Sequence, residues 1–188
     1  MNTFVISDTH AFHKNIVKGC SEWEDTSKCR DFPTIDEHNQ VLADNINRVV
    51  GQQDRIIHLG DWSFGGVDKI KLFRDMINCT NIELLFGNHD THIQNDPQLQ
   101  KLFTRCDMFR TTKIDGQMVV LCHYALQVWE NNHRGWWMLH GHSHGNLNHD
   151  NDGKILDVCP EGHNFTPWSM DEINTYMAER KVVAKDHH

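Results

Sequence analysis

Apolar residues along this chain fall into two alternating rhythms, short continuous runs and longer stretches at helical spacing. Residues 3–7 (TFVIS) form an apolar run ending at Asp8 and read as a strand. Residues 11–33 are polar with no sustained period. A stretch of that length without structure of its own is uncommon and often functional, so it is expected to cover a site. Thr34-Ile35-Asp36-Glu37 then matches a capping box, in which Thr and Glu satisfy each other's orphan amides. Val41, Leu42, Ile46, Val49 and Val50 follow at helical intervals, and Gly51 stops the helix. The alternation repeats with a strand at 55–59 (RIIHL), a helix at 67–77 and a strand at 81–86 (NIELLF). Three strands separated by helices predict a parallel sheet with crossover connections.

From residue 108 the style changes. Residues 108–114 and 117–122 flank Asp115-Gly116, a strong signal for a two-residue hairpin. Further strands are expected at 136–139 and 154–158, and Ser169 to Glu172 form a second capping box opening a helix towards Arg180. No repeat or linker divides the chain. Residues 1–184 are therefore expected to form one α/β domain, with residues 185–188 a frayed tail.

The 188 residues include 18 Lys and Arg against 26 Asp and Glu, a formal charge of -8. Non-specific nucleic-acid binding draws most of its affinity from neutralising phosphates, so stable binding of that kind is not expected here. No run of 18 apolar residues exists to span a bilayer, and MNTFVISDTH lacks the basic and apolar stretches of a secretory signal. Six cysteines without a C-x-x-C pair are expected to be free thiols in a reducing cytoplasm. The unusual count is 15 histidines.

Asp, Asn and His recur at the ends of the predicted strands. Asp8-x-His10 follows the first, Asp61 the second, Asn88-His89 the third, His123 the hairpin, and His142-x-His144 the run at 136–139. Ligands of open α/β sheets collect beyond the carboxyl ends of the strands, so five loops would bring these side chains to one rim. Loop composition alone explains one or two such clusters, not five that each carry nitrogen or oxygen metal ligands. In extended backbone, residues i and i+2 share a side, so Asp8 and His10 can reach one ion together. Seven candidate ligands (Asp8, His10, Asp61, Asn88, His123, His142 and His144) are too many for one tetrahedral site. They suit two ions sharing a carboxylate, and Asp61 is the natural bridge.

These residues carry a family resemblance. Asp8-x-His10, Gly60-Asp61, Gly87-Asn88-His89-Asp90, His123 and Gly141-His142-Ser143-His144 resemble the five-block pattern of the calcineurin-like metallophosphoesterases. Asp157-Val158 and residues 167–173 resemble the ending of its small, uncapped bacterial and phage members. The resemblance implies a four-layer αββα β-sandwich of two mixed sheets flanked by helices, where residue patterns alone suggested one open sheet. It implies that Asp8, His10, Asp61 and His144 hold one divalent ion, and Asp61, Asn88, His123 and His142 a second. It implies that His89 faces the scissile phosphate and serves the leaving oxygen, with Asp90 orienting it. The implied reaction is hydrolysis of small or nucleotide-like phosphodiesters, with phosphomonoesters possible, by attack of a metal-bridging hydroxide. Mn, Fe, Zn, Ni and Co all suit such donors. A nuclease acting on DNA or RNA ends and a non-catalytic scaffold are the alternatives; the charge opposes the first, the intact blocks the second.

The remaining candidates divide by context. His13 and Tyr124 are candidate substrate contacts, Tyr124 because it directly follows His123. Trp23, Trp62, Phe64, Tyr124 and Trp129 lie in or near the site loops and could stack on a nucleobase or simply fill gaps. His58 and His140 are expected to support ligands by hydrogen bonding. His38, His92, His133, His149 and His163 are expected on solvated surface, and Cys122, pointing away from His123, in the core.

Overall fold

A computed structural model describes residues 1–150 and 152–184; the expected tail at 185–188 lies outside the described residues. The first three predicted strands form as β1 (Thr3–Ile6), β2 (Arg55–His58) and β3 (Asn81–Leu85), paired in parallel. Their crossovers are the helices α1 (Ile35–Val49) and α2 (Gly66–Met76). Thr34 caps α1 by accepting from the Glu37 N–H at 3.1 Å, without the return bond of the full box. Two short helices, α3 (Thr91–Asn95) and α4 (Pro97–Gln100), then lead to β4 (Arg105–Asp107), which adds in parallel to β3.

The hairpin forms as expected between β5 (Phe109–Ile114) and β6 (Gln117–Cys122). Asp115 and Gly116 both take positive φ, 48° and 91°, as a two-residue primed turn requires. The strands β7 (Trp137–His140) and β8 (Ile155–Asp157) extend this sheet in parallel from β6. Last come β9 (Trp168–Ser169), antiparallel on β1, and α5 (Met170–Ala178), opened by a complete capping box. The sheet orders are β4-β3-β2-β1-β9 and β5-β6-β7-β8. The architecture is thus two mixed sheets with flanking helices.

Period-two alternation explains the stacking of layers. Val5, Ile57 and Leu85 of the first sheet meet Val119, Leu121 and Leu139 of the second in one apolar cluster. The opposite face of the first sheet, with Phe4, Ile56 and Leu84, packs on Leu42 and Ile46 of α1 and Phe73 of α2. Outside the second sheet, Val120, Cys122 and Met138 lie under Trp129. Cys122 is therefore core, as its parity with His123 requires. All six cysteines are free. Among the described residues, no helix is long and apolar enough to cross a membrane.

Candidate metal centre

The carboxyl ends of β1, β2 and β7 turn sharply, and backbone of the left-handed kind makes these turns. Asp8 (φ 48°), His10 (46°), Asp61 (59°), His142 (67°) and His144 (49°) all adopt it. Among residues with a side chain, Asp, Asn and His tolerate this region best. Hydrogen bonds tie the loops together: Asp8 N–H to Gly60 O at 2.8 Å, His10 N–H to Asp61 O at 3.0 Å, and Gly141 N–H to His123 O at 2.9 Å. Two glycines are required by close approach. A Cβ on Gly87 would collide with the Asp61 carboxylate, and one on Gly141 with that of Asp8.

The strand-end residues converge. His10 Nε2 lies 3.5 Å from both Asp8 Oδ1 and Asp61 Oδ2 and 3.3 Å from His144 Nε2, which is itself 3.5 Å from Asp8 Oδ1. Asp61 Oδ2 is also 3.5 Å from His123 Nε2, and His123 Nε2 is 3.1 Å from Asn88 Oδ1. Donor atoms of Asp61, His123 and His142 fall within 4.8 Å of one another. Metal–nitrogen and metal–oxygen bonds of roughly 2.1 Å give a tetrahedral ligand shell an edge of about 3.4 Å. The observed separations match that edge. Asp8 Oδ1 is buried with no hydrogen-bond partner, an expensive state for a carboxylate oxygen unless a cation satisfies it. The donor set therefore fits divalent cations, with Asp61 Oδ2 common to both groups of donors.

The surroundings orient these donors and draw in positive charge. His123 donates from Nδ1 to Leu59 O at 2.7 Å, which leaves Nε2 as the donor towards a metal. His144 Nδ1 likewise bonds Glu161 Oε1 at 2.7 Å. Burial pushes the carboxyls of Asp8 and Asp61 up, yet the facing histidines hold both below their ordinary range. Burial opposes protonation of His123, but its bond to Asp61 and the charges of Asp8 and Asp61 raise it to about 9. A cation would answer the same field.

Three supporting residues escaped the sequence reading. Arg30, buried, donates to Asp8 O at 2.6 Å, Thr9 O at 2.9 Å and Glu161 Oε1 at 2.8 Å. Glu161 is pulled down to about 2 because the Arg30 charge and the His144 bond outweigh its burial. Cys159, kept as a thiol by burial and by Asp8, donates to Asp8 Oδ2 at 3.1 Å. The stretch at 11–33 is thus an anchored ribbon that supplies Arg30 to the Asp8 and Thr9 carbonyls. No periodicity or motif pointed to these residues.

Other expectations are met or revised by position. His89 stands beside the donors with its side chain 41% exposed and Nε2 4.0 Å from Asp61 Oδ2. Asp90 does not turn to the His89 ring. Its carboxylate accepts the N–H groups of Asp61 at 2.7 Å, Gly87 at 2.8 Å and Trp62 at 2.9 Å. It acts on loop backbone, and burial raises it to about 6 against those bonds. His13 accepts from Ile16 N–H through Nδ1 at 3.1 Å and stays neutral, burial lowering it to about 4. Tyr124, 44% exposed, packs edge-on against His123 and His142.

His58 accepts from Gly60 N–H at 3.2 Å and bonds Thr9 Oγ1 at 2.9 Å, so it braces the loops beside Asp8 and Asp61 rather than bonding a candidate ligand. His140 bonds His149 at 2.8 Å, and His149 in turn bonds Asp152 at 2.9 Å. His149 is therefore buried, contrary to expectation, because it closes this polar chain. His38 is buried too, accepting from Arg30 Nη1 at 2.9 Å. His92 is exposed as expected; His133 and His163 are half-buried, His163 stacked on Trp168. Trp62 and Trp129 are core, their N–H groups bonded to Ile70 O and Trp136 O, so neither offers a face to a base.

Comparison with known proteins agrees with this geometry. Residues 1–173 match the family model of the calcineurin-like phosphoesterases. An uncharacterized protein of Methanocaldococcus jannaschii is 31% identical over 189 residues, covering 96% of this chain and 93% of that protein. The crystal structure of a protein of unknown function from Aquifex aeolicus shares the fold, with a TM-score of 0.68 and 21% identity over 93% of this chain and 98% of that one. With the family model matched over nearly its whole length, the chain belongs to the calcineurin-like phosphoesterases and is a metal-dependent phosphoric ester hydrolase.

Proposed function

We propose that this protein hydrolyses small or nucleotide-like phosphodiesters, with phosphomonoesters as further substrates, at two divalent cations that share Asp61. Asp8, His10, Asp61 and His144 would hold one cation, and Asp61, Asn88, His123 and His142 the other. The observation that carries this reading is Asp61 Oδ2, which sits 3.5 Å from both His10 Nε2 and His123 Nε2. When bound, such cations neutralise phosphate oxygens and acidify water, and Mn, Fe, Zn, Ni and Co all suit these donors.

The chain's own residues do the rest. His89 stands open to solvent at the edge of the donor cluster, where it can give a proton to the departing oxygen. The Asp61 Oδ1 bond to the His89 N–H, 2.9 Å long, fixes where that ring begins. Asp90 positions both loops through their amides. The charge of -8 disfavours long polyanionic substrates relative to small ones.

The test is activity of metal-reconstituted protein on monoesters, diesters, cyclic nucleotides and oligonucleotides, with elemental analysis of the same sample. His89→Ala should lower kcat about 10²- to 10⁴-fold and leave cation content unchanged. Full turnover in that variant removes His89 from the chemistry, and inactivity on every ester with both cations present removes the reading itself.

A further inference from the structure

Trp23 stands 50% exposed in the ribbon at 11–33, and a row of rings joins it to the metal centre. Its ring packs edge-on against His13 with centroids 5.9 Å apart. His13 in turn lies 3.8 Å from Phe64, and Phe64 4.6 Å from His89. His13 is also 5.6 Å from His10, so the row runs from a donor residue outward to solvent. Polar residues surround Trp23 in sequence, and half of a large apolar side chain is left in water where burial would be favourable.

The ribbon that presents this indole is pinned. Arg30 N–H bonds Ile16 O at 2.7 Å, Lys18 N–H bonds Arg30 O at 2.9 Å, and Gly19 N–H bonds Phe32 O at 3.0 Å, closing the two arms on each other. Glu22 N–H and Cys29 Sγ both bond Asn15, at 3.1 and 3.3 Å, which secures the segment that holds Trp23. Arg30 fastens the base of the ribbon to Asp8 and Thr9. A ring held in advance loses little freedom when a ligand stacks on it.

Resting on the phosphoesterase reading, the geometry points to Trp23, packed against His13, as a subsite for the aromatic base of a nucleotide-like ester. The phosphate lies at the metal centre and the sugar passes His13. Because Nδ1 of His13 accepts from Ile16, its proton sits on Nε2, which offers a donor to a sugar hydroxyl. Stacking is tolerant of base identity, so the subsite selects for a base without choosing among them.

The experiment compares the methylenephosphonate analogues of adenosine 5′-monophosphate and ribose 5-phosphate, which resist ester hydrolysis and differ by the base, in calorimetric titrations of the metal-loaded protein. Wild type should bind the nucleotide analogue about 5- to 150-fold more tightly. Trp23→Ala should bring the two dissociation constants together, and Trp23→Phe should keep part of the gap. Equal constants in wild type, or an undiminished gap in Trp23→Ala, overturns the subsite. Because this readout is binding, it stands apart from turnover: loss of all ester hydrolysis in wild type would overturn the phosphoesterase reading while leaving the base preference to be judged by itself.

Discussion

The floor of the site and its rim are built under different constraints. On the floor, Asp8, Asp61 and His123 are nearly inaccessible, and buried polar groups must find partners, so hydrogen bonds fix their orientation. At the rim, His89, Tyr124 and Trp23 keep large parts of their surface in water and touch chiefly other rings. On the proposed reading the difference is a division of labour: cation geometry would be set where the protein permits no alternative, and substrate choice left to residues that can be exchanged at small structural cost.

Changes to the floor should have the largest effects. Asp61→Asn replaces donor capacity shared by both ligand groups, so it should reduce activity about a thousand-fold or more and lower cation content per chain. Elemental analysis beside kcat decides it, and full stoichiometry with full turnover would break the idea of a shared floor. One step back, Glu161→Gln removes the charge that orients His144 while leaving the donors in place. It should weaken cation affinity about 10-fold, read by titration of apo protein with Mn or Zn. An unchanged affinity would reduce Glu161 to scaffolding.

The mildest contrast is in stability against pH. His38 has its pKa lowered to about 3 because burial and the nearby Arg30 charge disfavour the proton. The unfolded chain takes up that proton as pH falls through roughly 6.5, whereas the folded chain does not. The stability contributed by neutral His38 is thus fully present above about 6.5 and is lost as pH falls towards 3. His38→Gln keeps an acceptor for Arg30 without titrating, so its urea midpoint should fall less steeply across that window. Parallel curves for variant and wild type would clear His38 of the effect.

Much of this was legible because strand ends are legible. An apolar run that stops at Asp8, Asp61 or Asn88 announces both the strand and the residue it delivers, and Asp115-Gly116 specified its turn outright. The Thr34 and Ser169 caps located two helix starts. What remained hidden lacked local pattern: Arg30 sits in a polar stretch whose fold depends on the Asp8 and Thr9 carbonyls, and Glu161 on a short 3-10 turn (Pro160–His163). The two-residue strand β9 exists only because β1 offers it an edge. His38 differs, since it lies four residues before Leu42 and eight before Ile46, on the same buried face of α1. That histidine was readable from periodicity.

The left-handed backbone at Asp8, His10, Asp61, His142 and His144 ties together two properties usually considered apart. Each such turn costs a residue with a side chain about 1 kcal/mol, and glycine would relieve the cost while erasing a donor atom. Drift towards greater stability and retention of cations therefore pull these positions in opposite directions. On the proposed ligand set, a descendant with no use for its metals would become sturdier by exchanging these five residues for glycine.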